Sequence, residues 1–136
     1  MTISNRRIAM IAAAFSVASL IAVSAARAES DPAKEVSTAA THAGLAAKAS
    51  DMKATQMHLH HVINCLVGPK GRGFDAAPGN PCKDQGNGAI PDTKDKKQKA
   101  TLNQALAKAR AGLKAKSMAA AQKDATQIQS MLTPKA

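Results

Sequence analysis

The sequence predicts an all-α fold: a four-helix bundle of two duplicated antiparallel helical hairpins joined by a long Gly/Pro loop. Three observations predict it. Ala, Leu, Lys and Gln dominate two long stretches whose interiors nearly lack Gly and Pro. Apolar residues in those stretches recur at three- and four-residue steps, the spacing of one helical face. The first stretch also returns in the second: Ala43-Gly44-Leu45 recurs as Ala111-Gly112-Leu113, trailed by Ser50 and Met52 in one case and Ser117 and Met118 in the other. The offset drifts from 68 to 66 and then holds, matching Met52 with Met118, Val62 with Ile128 and Leu66 with Leu132. One unit used twice explains the pattern.

Composition narrows the function classes. The chain has 136 residues, 45% apolar but only 1% aromatic, with no Trp or Tyr. That amounts to one small domain with a core of Ala, Leu, Ile, Val and Met. A cleft between two lobes would need a larger chain. The nine acidic residues are scattered and no Ser-His-acid spacing stands out, so no nucleophile or acid–base pair is visible and no enzyme activity is expected.

Residues 1–28 read as a secretory signal. Arg6 and Arg7 form a basic start, Ile8 to Ala26 is uncharged and mostly apolar, and Ala26-Arg27-Ala28 supplies a small-x-small cleavage site. An uncleaved membrane anchor is the rival reading. The stretch is short and rich in Ala and Ser for that role, and acidic Glu29 and Asp31 follow it. Its three Arg account for part of the +10 formal charge, so the mature chain carries 16 basic and 9 acidic residues, a net +7. The expected location is periplasmic or secreted, with no membrane span after signal cleavage.

The mature domain, 29–136, divides into a hairpin over 30–67, a loop over 68–93 and a hairpin over 94–132. Helices are expected at about 32–49, 52–67, 94–114 and 117–132. In the second hairpin Leu102, Leu106, Ala109 and Leu113 form one stripe, and Met118, Ala121, Ala125, Ile128 and Leu132 form another after a phase slip that marks a turn. Ser117 is the N-cap expected there, as Ser50 or Asp51 is in the first unit. The stretch from Gly68 to Asp92 packs six Gly and four Pro into 25 residues, which predicts irregular structure. Export favours a Cys65–Cys82 disulfide tying this loop to helix 2. Closing such a loop would stabilise the fold by about 3 kcal/mol in the chain-entropy model. The alternative keeps Cys65 as a thiolate metal ligand. Phe74, inside the loop, is expected to plug one end of the bundle.

Chemistry concentrates in the first hairpin, which holds all four His residues: His42, His58, His60 and His61. At the offset of 66 the last three correspond to Asp124, Thr126 and Gln127, so the fold itself does not require imidazole there. On a helical wheel Met52, Thr55, Leu59, Val62, Ile63 and Leu66 form the core face of helix 2. Thr55 fits that face by bonding back to the carbonyl one turn earlier. His58 and Cys65 lie at one edge of it. His61 projects further out beside Met57 and Asn64, while His60 points to the other edge. A turn near Ser50 and Asp51 sets residue 42 level with residue 59, so His42 can approach the imidazoles facing helix 1. Metal ligands are therefore expected among His42, His58, His60, His61 and Met57. Imidazole suits copper, nickel and zinc, and a thioether adds a preference for cuprous copper, so copper comes first. Haem is not expected, because no C-x-x-C-H occurs and an aromatic wall is lacking. An exposed His face without ligands is the bland alternative.

Two basic features remain. Lys70, Arg72 and the amides of Gly71 and Gly73 could cradle an anion, although the ending of a phosphate loop is missing. Lys94, Lys96, Lys97 and Lys99 could meet nucleic acid or an anionic membrane, but Asp92 and Asp95 interrupt the run and no aromatic is available for base stacking, so a solvated helix start is expected there and nucleic acid is not.

An exported Ala/Lys-rich chain of two short helical hairpins with His at helical spacing resembles the bacterial periplasmic small metal-binding proteins. The resemblance spans roughly 30–67 and 94–132. It implies a four-helix bundle that takes up copper and other divalent ions, with His42, His58, His60 and His61 as candidate ligands. The second unit here has no His and the Cys-bearing insert is not part of the family pattern, so one or two sites are implied. The reading is an exported copper (or zinc or nickel) sequestration or delivery protein. The alternative is an envelope structural or interaction protein that takes no ligand and contacts an unknown protein partner through its disulfide-tied loop.

Overall fold

A computed structural model describes residues 29–134; the leader expected over 1–28 lies outside them. The described chain is all-helical, with five helices and no strand: α1 (Pro32–Lys48), α2 (Met52–Val67), α3 (Ala89–Asp92), α4 (Lys96–Leu113) and α5 (Met118–Leu132).

Short polar side chains set the four long helix starts. Asp31 Oδ1 accepts from the Lys34 amide at 2.9 Å, Asp51 Oδ1 from Ala54 at 2.8 Å, Asp95 Oδ1 from Gln98 at 2.7 Å and Ser117 Oγ from Ala120 at 3.2 Å. Each satisfies an amide that has no partner within its helix. Of the two candidates before α2 the cap is therefore Asp51. Asp95 likewise starts α4 two residues later than expected, leaving Lys94 ahead of the helix. Helix α3 was not expected among the Gly and Pro residues. Its single turn tolerates Pro91 because a first turn has no use for the missing N–H.

Among the long helices α1 packs against α2 and α5, α4 packs against α5 and α2, and α2 and α5 also touch each other. Alanines let them approach closely. Ala39, Ala43 and Ala46 of α1 meet Leu59, Val62 and Leu66 of α2 and Ala121, Ala125 and Ile128 of α5 in one core, all fully buried. The two Ala-Gly-Leu glycines sit in this packing. A Cβ on Gly112 would lie 2.8 Å from Leu59 Cδ1, and one on Gly44 would lie 2.5 Å from Gln129 Nε2. Thr55, also buried, donates its hydroxyl to the Asp51 carbonyl at 2.9 Å. Phe74 packs half-buried against the same core.

The segment between α2 and α3 folds back on α2. Cys65 and Cys82 are joined by a disulfide with their Cα atoms 5.2 Å apart. Gly68 makes the exit from α2 at φ +70°, and a side chain there would strike the Asn87 carbonyl. The far end of the loop is held by Glu35 of α1, which is 1% exposed. Its Oε1 accepts from the Gly88 amide at 2.8 Å, while Oε2 is buried without a partner. Burial raises the Glu35 pKa to about 7, opposed by the Gly88 bond and assisted by the Asp92 and Asp31 charges.

Candidate metal centre

Three imidazoles converge where α1 crosses α2. His42 Nδ1 lies 3.2 Å from His58 Nδ1 and 3.2 Å from His61 Nδ1. One nitrogen from each of the three rings falls within 4.8 Å of the others. The helical repeat supplies two of them, since residues three apart share a face, and the turn after α1 brings the third alongside.

The loop fixes the orientation of His61. Its Nε2 lies 2.6 Å from the Pro78 carbonyl oxygen, an atom that only accepts. Neutral His61 therefore carries its proton on Nε2 and turns the Nδ1 lone pair towards His42. A ring N–H donated to a backbone carbonyl is the usual support of a metal-ligating imidazole. Gly79 follows Pro78 at φ +99°, a conformation that favours glycine, and so shapes the turn that brings the Pro78 carbonyl to His61.

The spacing suits one cation. A tetrahedral ion with metal–nitrogen bonds of about 2.0 Å places its ligand nitrogens about 3.3 Å apart. Two of the three separations here are 3.2 Å. Electrostatics favour the neutral ligand form. Burial lowers the His42 pKa to about 4, helped by the His61 and His58 charges. The His58 pKa is also lowered, by burial first and then by the His61 charge. Protons therefore compete less for His42 and His58 than for free imidazole, and neutral nitrogen is what a metal requires.

The other two candidates stand apart from this convergence. His60 turns towards Asp75 of the loop, with Nδ1 3.8 Å from Asp75 Oδ2. Met57 is 40% exposed one helical turn before His61. Two supporting groups escaped the sequence reading. Asn64, expected to project outward beside His61, is instead fully buried. Its Nδ2 donates to the Asp75 carbonyl at 2.6 Å and the Gly79 carbonyl at 2.7 Å, and its Oδ1 accepts from the Asp75 amide at 2.9 Å. The loop covers that flank of α2 and turns an outward position into an anchor. The signal was Cys65 next door, whose partner must return over the same flank. The second group, the Pro78 carbonyl, is backbone and carries no side-chain signal.

Comparison of the chain with protein-family models, with curated proteins and with solved structures finds no match. No helix among the described residues is long and apolar enough to cross a membrane.

Proposed function

We propose that the protein is an exported metal-binding protein that sequesters or delivers one copper, zinc or nickel ion in the periplasm, held by His42, His58 and His61 through Nδ1. The convergence of three Nδ1 atoms on one point, with the remaining His61 nitrogen tied to Pro78, carries this reading. Copper is placed first because exposed Met57 can add a soft ligand from the turn before His61. The disulfide is consistent with an oxidising compartment. The protein acts as a binder and not as an enzyme. Its long helices are read as a four-helix bundle of two duplicated hairpins, in keeping with the periplasmic small metal-binding proteins that the sequence resembles; the pairing of α1 with α2 and α4 with α5 supports this.

Calorimetric titration of the mature chain tests the proposal. One equivalent of cupric or zinc ion is expected to bind with micromolar affinity or better, and the His58→Ala/His61→Ala variant is expected to lose that binding. Equal binding by parent and variant would overturn it and return the protein to the envelope interaction reading.

A further inference from the structure

A second surface feature lies away from the imidazoles, where the end of α2, the loop and α4 enclose a groove of about 610 Å³. Its floor is apolar: Val67 and Leu106, both buried, and half-buried Ile90. Its walls carry Lys70 and Arg72 from the loop and Lys99 and Arg110 from α4. Arg110 is held at the edge because its Nη2 donates to the Arg72 carbonyl at 2.8 Å.

None of these four cations is neutralised where it stands. The ion pairs among the described residues are His60 with Asp75 and Lys108 with Asp124. The one carboxylate lining the groove, Asp92, accepts instead from the Asn87 amide at 2.7 Å and from Asn87 Nδ2 at 3.2 Å. The other large groove, about 730 Å³ between α1, α4 and the end of α5, balances Lys97 against Asp95. The charge excess distinguishes this groove from that one. Loop cations that the sequence offered only as an anion cradle here gain two partners from α4 and an apolar floor.

We infer that this groove binds a small anionic amphiphile, an aliphatic monocarboxylate, with the chain on Val67, Ile90 and Leu106 and the carboxylate among Lys70, Arg72, Lys99 and Arg110. The volume falls in the range of small-molecule sites. Guanidinium at a fixed edge suits a planar carboxylate, which it can hold through two parallel bonds.

Titration of the mature protein with sodium decanoate below its micelle concentration, with a chelator present to silence the imidazole site, tests the inference. Saturable binding of one decanoate is expected, with acetate and decyltrimethylammonium each at least tenfold weaker. The Lys99→Gln/Arg110→Gln variant should lose at least tenfold in decanoate affinity. A Lys70→Gln/Arg72→Gln variant, which leaves the Arg110 side chain in place, should lose a similar factor, with unchanged helicity in both. Absence of decanoate binding, equal binding of the cationic amphiphile, or undiminished binding by both variants would overturn the inference. So would binding to vesicles of anionic phospholipid without binding of decanoate, which would assign the charge to a membrane surface.

Discussion

In α1 and α2, His42 meets His58 across a separation of 16 residues, with 3.2 Å between nitrogens. In α4 and α5, Lys108 meets Asp124 across the same separation, with 3.9 Å between nitrogen and oxygen. The second pair carries opposite charges and is complete as it stands. The first consists of two bases that repel each other when protonated, and their Nδ1 atoms lie together with that of His61. The two helix pairs also differ in cover. The disulfide-tied loop lies over α2 and supplies the carbonyl that orients His61, whereas Gln127, 66 residues further on, lies in α5, where no disulfide-tied insert follows the helix. A helix pair of this kind accepts either polar solution, and what distinguishes the first is a cluster of three imidazoles with a backbone carbonyl behind one of them.

The largest expected effect removes that ligand set. The His42→Ala/His61→Ala variant should bind cupric or zinc ion no tighter than millimolar, measured by competition with a chromophoric chelator. Grafting the set sharpens the comparison. Lys108→His/Asp124→His/Gln127→His should create a second site on α4 and α5, weaker than the native one by 10- to 100-fold because it lacks the Pro78 carbonyl. Equal affinities would show that the loop contributes nothing to the site.

Loss of the cover comes next. Cys65→Ser/Cys82→Ser should destabilise the fold by about 3 kcal/mol in chemical denaturation. At temperatures where it remains folded, it should also weaken metal binding by about tenfold as Pro78 moves away from His61. The α4–α5 ion pair should not respond.

Two groups on α1, buried Glu35 and half-buried His42, have opposite pH dependences. The folded-state pKa of Glu35 lies above its unfolded value, so folding takes up a proton and stability falls as pH rises from about 4.5 through about 7. The folded-state pKa of His42 lies below its unfolded value, so the metal-free protein loses stability as pH falls from about 6.5 towards 4. Glu35→Gln should therefore gain about 3 kcal/mol over the parent at pH 8 and less than about 1 kcal/mol at pH 5. A gain that does not change with pH would place the effect elsewhere. Metal binding should persist to lower pH than the window of free imidazole, because His42 is already neutral there.

The smallest effect concerns His60. Its contact with Asp75 is long and partly exposed, so His60→Ala should change stability by less than about 1 kcal/mol and leave metal affinity unaltered.

Most of the scaffold was legible in the sequence because its signals are local. Asp51 and Ser117 announce helix starts, the apolar stripes give the buried faces except at Met118, which is exposed, and the wheel already separates His60 from His58 and His61. The three-residue turn brings His42 to its place by simple arithmetic. What escaped depends on how the loop lies. Asn64 reads as an outward residue until the chain between Asp75 and Gly79 is placed over it, and α3 forms at Ala89 because Glu35, far away in sequence, receives the Gly88 amide. Contacts of that kind have no periodicity to betray them.

The central claim is that one ion is held by the Nδ1 atoms of His42, His58 and His61. Long-range proton–nitrogen correlation spectra of the imidazoles, recorded while zinc is added, test it most directly. One equivalent should shift the Nδ1 resonances of these three rings, leave the proton of His61 on Nε2, and leave His60 unmoved. Unshifted resonances in the three rings, or shifts confined to His60, would contradict it.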